Sequence, residues 1–151
     1  MRAVIQRVKK AYVEVDGKIT GSIEKGLLVL LCVCEDDTEE DIKYMAKKII
    51  NMRIFSDENG KFNLSLKDVG GKLLVISQFT LAADTKKGNR PSYFYAAKPE
   101  KAKQFYEKFN EICKKEHDIE VQTGIFAAHM DVHLINDGPV TIYIDSKVNR
   151  Q

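Results

Sequence analysis

Residues 26–34 read Gly-Leu-Leu-Val-Leu-Leu-Cys-Val-Cys, nine positions without one polar side chain. A strand with one wet face would alternate polar with apolar, and this run does not. It is also well short of the ~18 apolar residues that a membrane span needs. The run is therefore expected to be a buried central strand, and the rest of the chain must supply what buries it. At 151 residues one domain, residues 1–151, is expected, large enough to bury about 68–70% of the surface its unfolded chain exposes. An apolar fraction of 44% supplies a core without disulfide or metal. Three cysteines, an odd number, do not form a disulfide framework. Cys32 and Cys34, two apart on one strand, would share a face and pack as small hydrophobes. Arg2 and Arg7 bracket a strand rather than a charged leader. A cytoplasmic protein without a membrane segment is the expectation.

The remaining pattern is strands in pairs and two helices. Residues 3–8 and 11–15 read as strands, and Asp16-Gly17 as a hairpin turn into residues 18–23. Thr38 with Asp41 resembles a capping box, after which Ile42, Met45, Ala46 and Ile49 recur at helical spacing. Asp57-Glu58-Asn59-Gly60 is a turn, and Gly70-Gly71 precedes the apolar strand Leu73-Leu74-Val75-Ile76. Pro99 suits the first position of a second helix, with Ala102, Phe105, Tyr106, Phe109, Ile112 and Cys113 as its apolar stripe. Residues 119–123, 132–135 and 141–144 close the sheet. The fold class is α+β and strand-dominated.

The side chains do not announce a catalytic apparatus. A hydrolase commonly shows a nucleophile with its base, paired carboxylates or a metal cluster. His117 ends the second helix, where a basic residue suits the dipole. His129 and His133 straddle a loop-to-strand boundary, and no paired Cys/His spacing supports a zinc site. Ser77 and Thr80 are available hydroxyls with no base near them in sequence. The charge balance, 24 basic against 22 acidic, is no nucleic-acid footprint by itself. A local cluster, Lys86-Lys87-Gly88-Asn89-Arg90, fits either a solvated loop or a phosphate clamp.

Two segments break the pattern in a more telling way. The strand at residues 73–76 turns abruptly polar at Ser77 and Gln78. Between two C-terminal strands stands Asn136-Asp137-Gly138-Pro139-Val140-Thr141, where Gly138 has no side chain and Pro139 no N–H, leaving bare carbonyl oxygens to offer a ligand. Ser77-Gln78-Phe79-Thr80-Leu81 and this second segment resemble the two signature motifs of the D-aminoacyl-tRNA deacylase (D-tyrosyl-tRNA deacylase) family. Met1-Arg2-Ala3-Val4-Ile5-Gln6-Arg7-Val8 resembles its opening strand, and Gly124-Ile125-Phe126-Ala127-Ala128-His129-Met130 the segment before its Gly-Pro strand. The likeness thus runs nearly end to end.

The resemblance implies a barrel-like antiparallel or mixed sheet with the helices outside, a homodimer and no cofactor or metal. The substrate would be aminoacyl-tRNA, held at its acceptor end. Ser77 and Gln78 would shape the pocket from the end of a strand running through residues 77–81, and amides around Phe79 and Thr80 would hold the ester carbonyl. The neighbouring ribose 2′-hydroxyl would help activate water, with Thr80 as protein nucleophile the competing reading. Phe126 and Met130 would line the pocket or pack in the core. Gly138 and Pro139, joined in cis, would reach into the partner's site, bind the α-amino group and exclude an L-side chain. Achiral glycine would pass. Arg7 would brace the Gly-Pro loop; as a bare strand residue it would lie on the surface. Lys86, Lys87 and Arg90 would contact tRNA. A Thr80-dependent small-molecule esterase and a non-catalytic nucleic-acid-binding homodimer are the other classes.

Overall fold

A computed structural model of the protein describes residues 1–149; the last two positions of the domain expected over residues 1–151 lie outside the described residues. The chain runs β1 (Arg2–Val15), β2 (Lys18–Ile23), β3 (Gly26–Cys32), α1 (Glu39–Asn51), β4 (Phe55–Ser56), β5 (Phe62–Leu64) and β6 (Lys72–Ser77). A 3-10 turn (Phe79–Ala82), α2 (Pro99–Lys115), β7 (Val121–Thr123), β8 (Asp131–Asp145) and the single turn α3 (Ser146–Asn149) follow. This is the strand-dominated α+β fold, a nearly closed, barrel-like mixed sheet with two main helices outside it. No described helix is long and apolar enough to cross a membrane.

The main sheet follows the order β2-β1-β3-β6-β7, with β8 paired to the other edge of β1. The β3–β6 and β6–β7 pairs are parallel and the pairs made by β1 antiparallel. The ring almost shuts where β2 meets β7. A Cβ on Gly21 would stand 2.4 Å from the Thr123 carbonyl oxygen, so the approach requires glycine at that point.

The apolar run behaves as its composition demands. On β3 and β6, Leu27, Val29, Leu31, Leu73 and Val75 pack against Ile42, Met45 and Ile49 of α1 and Tyr106, Phe109 and Cys113 of α2. The alternate residues Leu28, Leu74 and Ile76 join Val8, Ala11, Val13 and Ile23 in a second cluster on the opposite face. A parallel strand covered on both faces needs apolar residues at every position.

Several boundaries differ from the sequence reading. Residues 3–8 and 11–15 form one strand, because β1 bends without breaking; Lys9 drops out of register between the pairs Val8↔Asn136 and Lys10↔Ile135. Residues 132–135 and 141–144 likewise belong to the single β8. The central strand stops at Cys32, and Cys34 makes an isolated bridge with Ala96. The two cysteines thus do not share a strand, although both are buried and free. The turn at residues 57–60 is the tip of the hairpin β4–β5, whose strands are too short for a period to register. The strand expected over residues 77–81 ends at Ser77. Its last rung is Leu31↔Ser77, the Gln78 amide makes a final bond to the Leu31 carbonyl at 2.8 Å, and the chain then tightens into the 3-10 turn.

A polar knot anchors the helical side. The Thr38 amide donates to Asp41 Oδ2 at 2.9 Å, which caps α1. Asp41 also accepts from Ser146 Oγ at 2.7 Å and from Lys147 Nζ at 2.8 Å. The Met1 ammonium binds the Asp37 carboxylate and Ser146 Oγ. Burial pushes the Asp41 carboxyl upward, but the hydrogen bonds from Lys147, the Thr38 amide and Ser146 outweigh it and hold the group well below the ordinary carboxylate range.

Candidate active site

The end of β6 opens onto a cavity of about 590 Å³, within the range of small-molecule and cofactor sites. Ser77, Gln78 and Phe79 line one wall, and Phe126, Ala127, Ala128, His129 and Met130 another. Two elements distant in sequence meet here because β6 pairs in parallel with β7, which feeds the 124–130 segment. The floor is fixed from below. Tyr106 of α2 donates its hydroxyl to the Val75 carbonyl at 2.6 Å and lies 6.1 Å, ring to ring, from Phe126. Burial pushes that phenol up to about 12, so it stays protonated and works as a strut.

The 3-10 turn presents the chemistry. The first amides of such a turn have no partner within it, and neither Phe79 nor Thr80 donates its N–H to any other described residue. Gln78 Nε2 donates to Thr80 Oγ1 at 2.6 Å. An amide can donate there but cannot take a proton away, so this contact orients the hydroxyl without activating it. The Thr80 side chain is not among the cavity's lining groups, whereas Ser77, Gln78 and Phe79 are. No cluster of three or more His, Cys, Asp or Glu side chains able to hold a metal occurs among the described residues.

Gly138 and Pro139 lie elsewhere on the chain's surface, exposed, and do not line this cavity. They belong to a bulge of β8. Asn136 pairs with Val8 and Thr141 with Gln6, so residues 137–140 stand opposite Arg7 alone and must arch outward. The Gly138-Pro139 bond is cis and Gly138 has φ of +150°, a region that strongly favours glycine. Arg7 is buried rather than on the surface, and its side chain holds the arch from beneath. Its Nε donates to the Asp137 carbonyl and another guanidinium nitrogen to the Ile54 carbonyl, both at 2.8 Å. The Phe62 ring covers the guanidinium, 5.2 Å from its carbon. Asn136 clamps the arch from within: Oδ1 accepts the Val140 amide at 2.7 Å and Nδ2 donates to the Val140 carbonyl at 3.2 Å.

Lys86, Lys87 and Arg90 sit on an exposed loop closed at its base by the bridge Asp84↔Ser92, outside the cavity wall. The sequence reading missed Asn136 as a clamp, although it stands inside the quoted motif. It also missed Tyr93, which lines the cavity and meets Phe79 edge-to-face at 5.1 Å. Tyr93 follows the turn formers of that loop, and nothing local marks it as a wall.

Comparison with known proteins decides the family. The model of the D-Tyr-tRNA(Tyr) deacylase family matches residues 4–145. The chain belongs to that family. A D-aminoacyl-tRNA deacylase of Thermosipho africanus is 63% identical over 97% of this chain and 98% of its own length. One of Fervidobacterium nodosum is 59% identical over the same shares. Among solved structures, a c-Myc DNA unwinding element binding protein superposes with a TM-score of 0.91 at 41% identity, covering 97% of this chain and 99% of that one.

Proposed function

We propose that this chain is an editing hydrolase that cleaves the ester joining a D-amino acid to the terminal ribose of tRNA. Family membership and relatives of that name matching nearly end to end support the deacylase activity. The observation that carries the chemistry is the cavity at the end of β6, capped by a turn whose Phe79 and Thr80 amides have no partner among the described residues. An ester carbonyl seated there would receive two N–H donors as it becomes an oxyanion, the electrostatic help such a step needs. Water adds to the carbonyl carbon and the bond to the ribose 3′-oxygen breaks. That oxygen leaves with one proton of the water, the other is released to solvent, and the amino acid departs as a carboxylate. The ribose 2′-hydroxyl, adjacent to the ester, activates the water. The Thr80 hydroxyl, bonded to an amide that cannot take its proton, keeps a positioning role.

Gly138 and Pro139, exposed and away from their own cavity, serve the cavity of a second copy, which makes the active unit a homodimer. Their carbonyl oxygens bind the α-amino group and fill the space of an L-side chain. Rejection of that kind acts on a side chain, so glycyl-tRNA is a second substrate. No cofactor enters the reaction, and the cytoplasm is where the substrate is met. Rates on D-tyrosyl-, L-tyrosyl- and glycyl-tRNA test the reading; equal rates on the two tyrosyl enantiomers would remove its basis. The relative named for DNA binding gives weight to a second reading, a nucleic-acid-binding homodimer. Nucleic-acid binding without deacylation of any charged tRNA would favour it.

A further inference from the structure

The segment between the 3-10 turn and α2 carries a surface that the ester chemistry leaves unused. Its backbone is held firmly. The Asp84 amide donates to the Ser92 carbonyl at 2.7 Å and the Ser92 amide to that of Asp84 at 2.9 Å. The Glu35 amide donates to the Tyr95 carbonyl, and the Ala97 amide to the Val33 carbonyl, both at 3.0 Å. On this fixed backbone three consecutive aromatic residues stay in solvent. Tyr93 is 39% exposed, Phe94 81% and Tyr95 48%. Phe94 and Tyr95 meet edge-to-face at 5.6 Å, and Tyr93, the residue before them in sequence, meets Phe79 edge-to-face at the cavity. Exposed neighbouring aromatics on a pinned backbone offer ring faces to a flat ligand.

Charge identifies the kind of ligand. Over residues 79–98 the chain carries Lys86, Lys87, Arg90 and Lys98 against the single acid Asp84. Ring faces beside a basic loop are the two components of single-strand nucleic-acid binding: bases stack on the aromatics while cations follow the phosphates. We propose that Phe94 and Tyr95 form a stacking platform for the unpaired nucleotides that precede the terminal adenosine of tRNA, with Lys86, Lys87 and Arg90 on their phosphates. The identity of that strand rests on the deacylase reading; the platform itself rests on exposure, charge and continuity with the cavity.

The test compares wild-type protein with Phe94→Ala/Tyr95→Ala, and with Tyr95→Phe as the conservative control. The double variant should raise Kd for uncharged tRNA and KM for D-tyrosyl-tRNA by about tenfold per aromatic side chain lost. Its kcat, and its rate on 3′-O-D-tyrosyl-adenosine, should match wild type, and Tyr95→Phe should bind normally. Trimming the unpaired 3′ nucleotides from tRNA should weaken binding to wild type by more than it weakens binding to the double variant, which keeps the cavity and the cations but has no rings left to lose. Unchanged Kd, an equal defect on the adenosine ester, or conversion of a wild-type dimer to monomer in sedimentation would each overturn the proposal; the last would make this face an interface between copies. Wild-type protein that turns over no charged tRNA would defeat the deacylase reading alone, because the trimmed-tRNA comparison still reads the platform.

Discussion

Replacing Arg7 by lysine isolates what the guanidinium does beyond its charge. Arg7 spans two carbonyls, of Asp137 in the arch and of Ile54 ahead of β4, each at 2.8 Å, from different nitrogens of a rigid fork. A lysine ammonium is a single point on a flexible stem and cannot occupy both positions. At least one charge-assisted hydrogen bond is lost, about 1.5–3 kcal/mol, and a buried carbonyl is left wanting a donor. The stacking over Phe62 weakens as well. A total near 2–4 kcal/mol should lower Tm by roughly 4–16 °C for a domain of this size. The arch should relax with the loss, so the ratio of D- to L-tyrosyl-tRNA hydrolysis should fall by at least about tenfold, the equivalent of about 1.4 kcal/mol in discrimination. Thermal melting and paired single-turnover rates measure the two effects. A lysine variant that melts within about a degree of wild type and keeps its enantiomer ratio would refute the bracing argument.

Gly138→Ala should fold but lose most D-tyrosyl-tRNA turnover, because its Cβ would lie 2.8 Å from Val140 Cγ2 and 2.9 Å from the Val140 nitrogen. Its backbone strain alone is about 1–3 kcal/mol; wild-type turnover would contradict this. A terminal 2′-deoxyadenosine should abolish hydrolysis while leaving binding nearly intact, and Thr80→Ala should be the milder lesion. The reverse order in single-turnover rates would return Thr80 to the role of nucleophile. Asp41, whose carboxyl is held below its ordinary range, contributes stability that is present above the ordinary carboxylate pKa and lost as pH falls through the folded value. Asp41→Asn should therefore melt lower than wild type at neutral pH, with the gap closing as pH falls below about 4. A gap independent of pH would sink that assignment.

The central strand, both helices and the Asp16-Gly17 turn were legible because their signals are local: an unbroken apolar run, a 3.6-residue period, a cap. What the residues could not show was where an extended segment stops being a strand. Ser77-Gln78-Phe79-Thr80-Leu81 has no breaker, and the turn arises because β3 offers no rung beyond Leu31. The arch at residues 137–140 was visible as an odd pair of residues, yet its shape follows from facing Arg7 alone across β1. Arg7 carried no sign of burial in its own neighbourhood. Its surroundings come from Ile54, Phe62 and Asp137, which are scattered along the chain. The cavity joins β6 to the segment after β7 across more than forty residues of sequence, and only the family likeness had linked them.

The pairing of β1 with β8, Arg2 opposite Asp145, sets the order in which the molecule can be built. Residues nearly a whole chain length apart must find each other, and such long-range pairing is slow relative to local structure. During synthesis β1, β2 and β3 emerge early, but β1 keeps one edge open until β8 has left the ribosome. An open edge beside apolar residues invites pairing with other chains. The arch of Gly138 and Pro139 lies on that last strand, and Arg7 waits for it on the first. The nascent chain therefore has the cavity wall of β6 before it has the arch, and the device assigned to chiral rejection is completed only as the final strand docks.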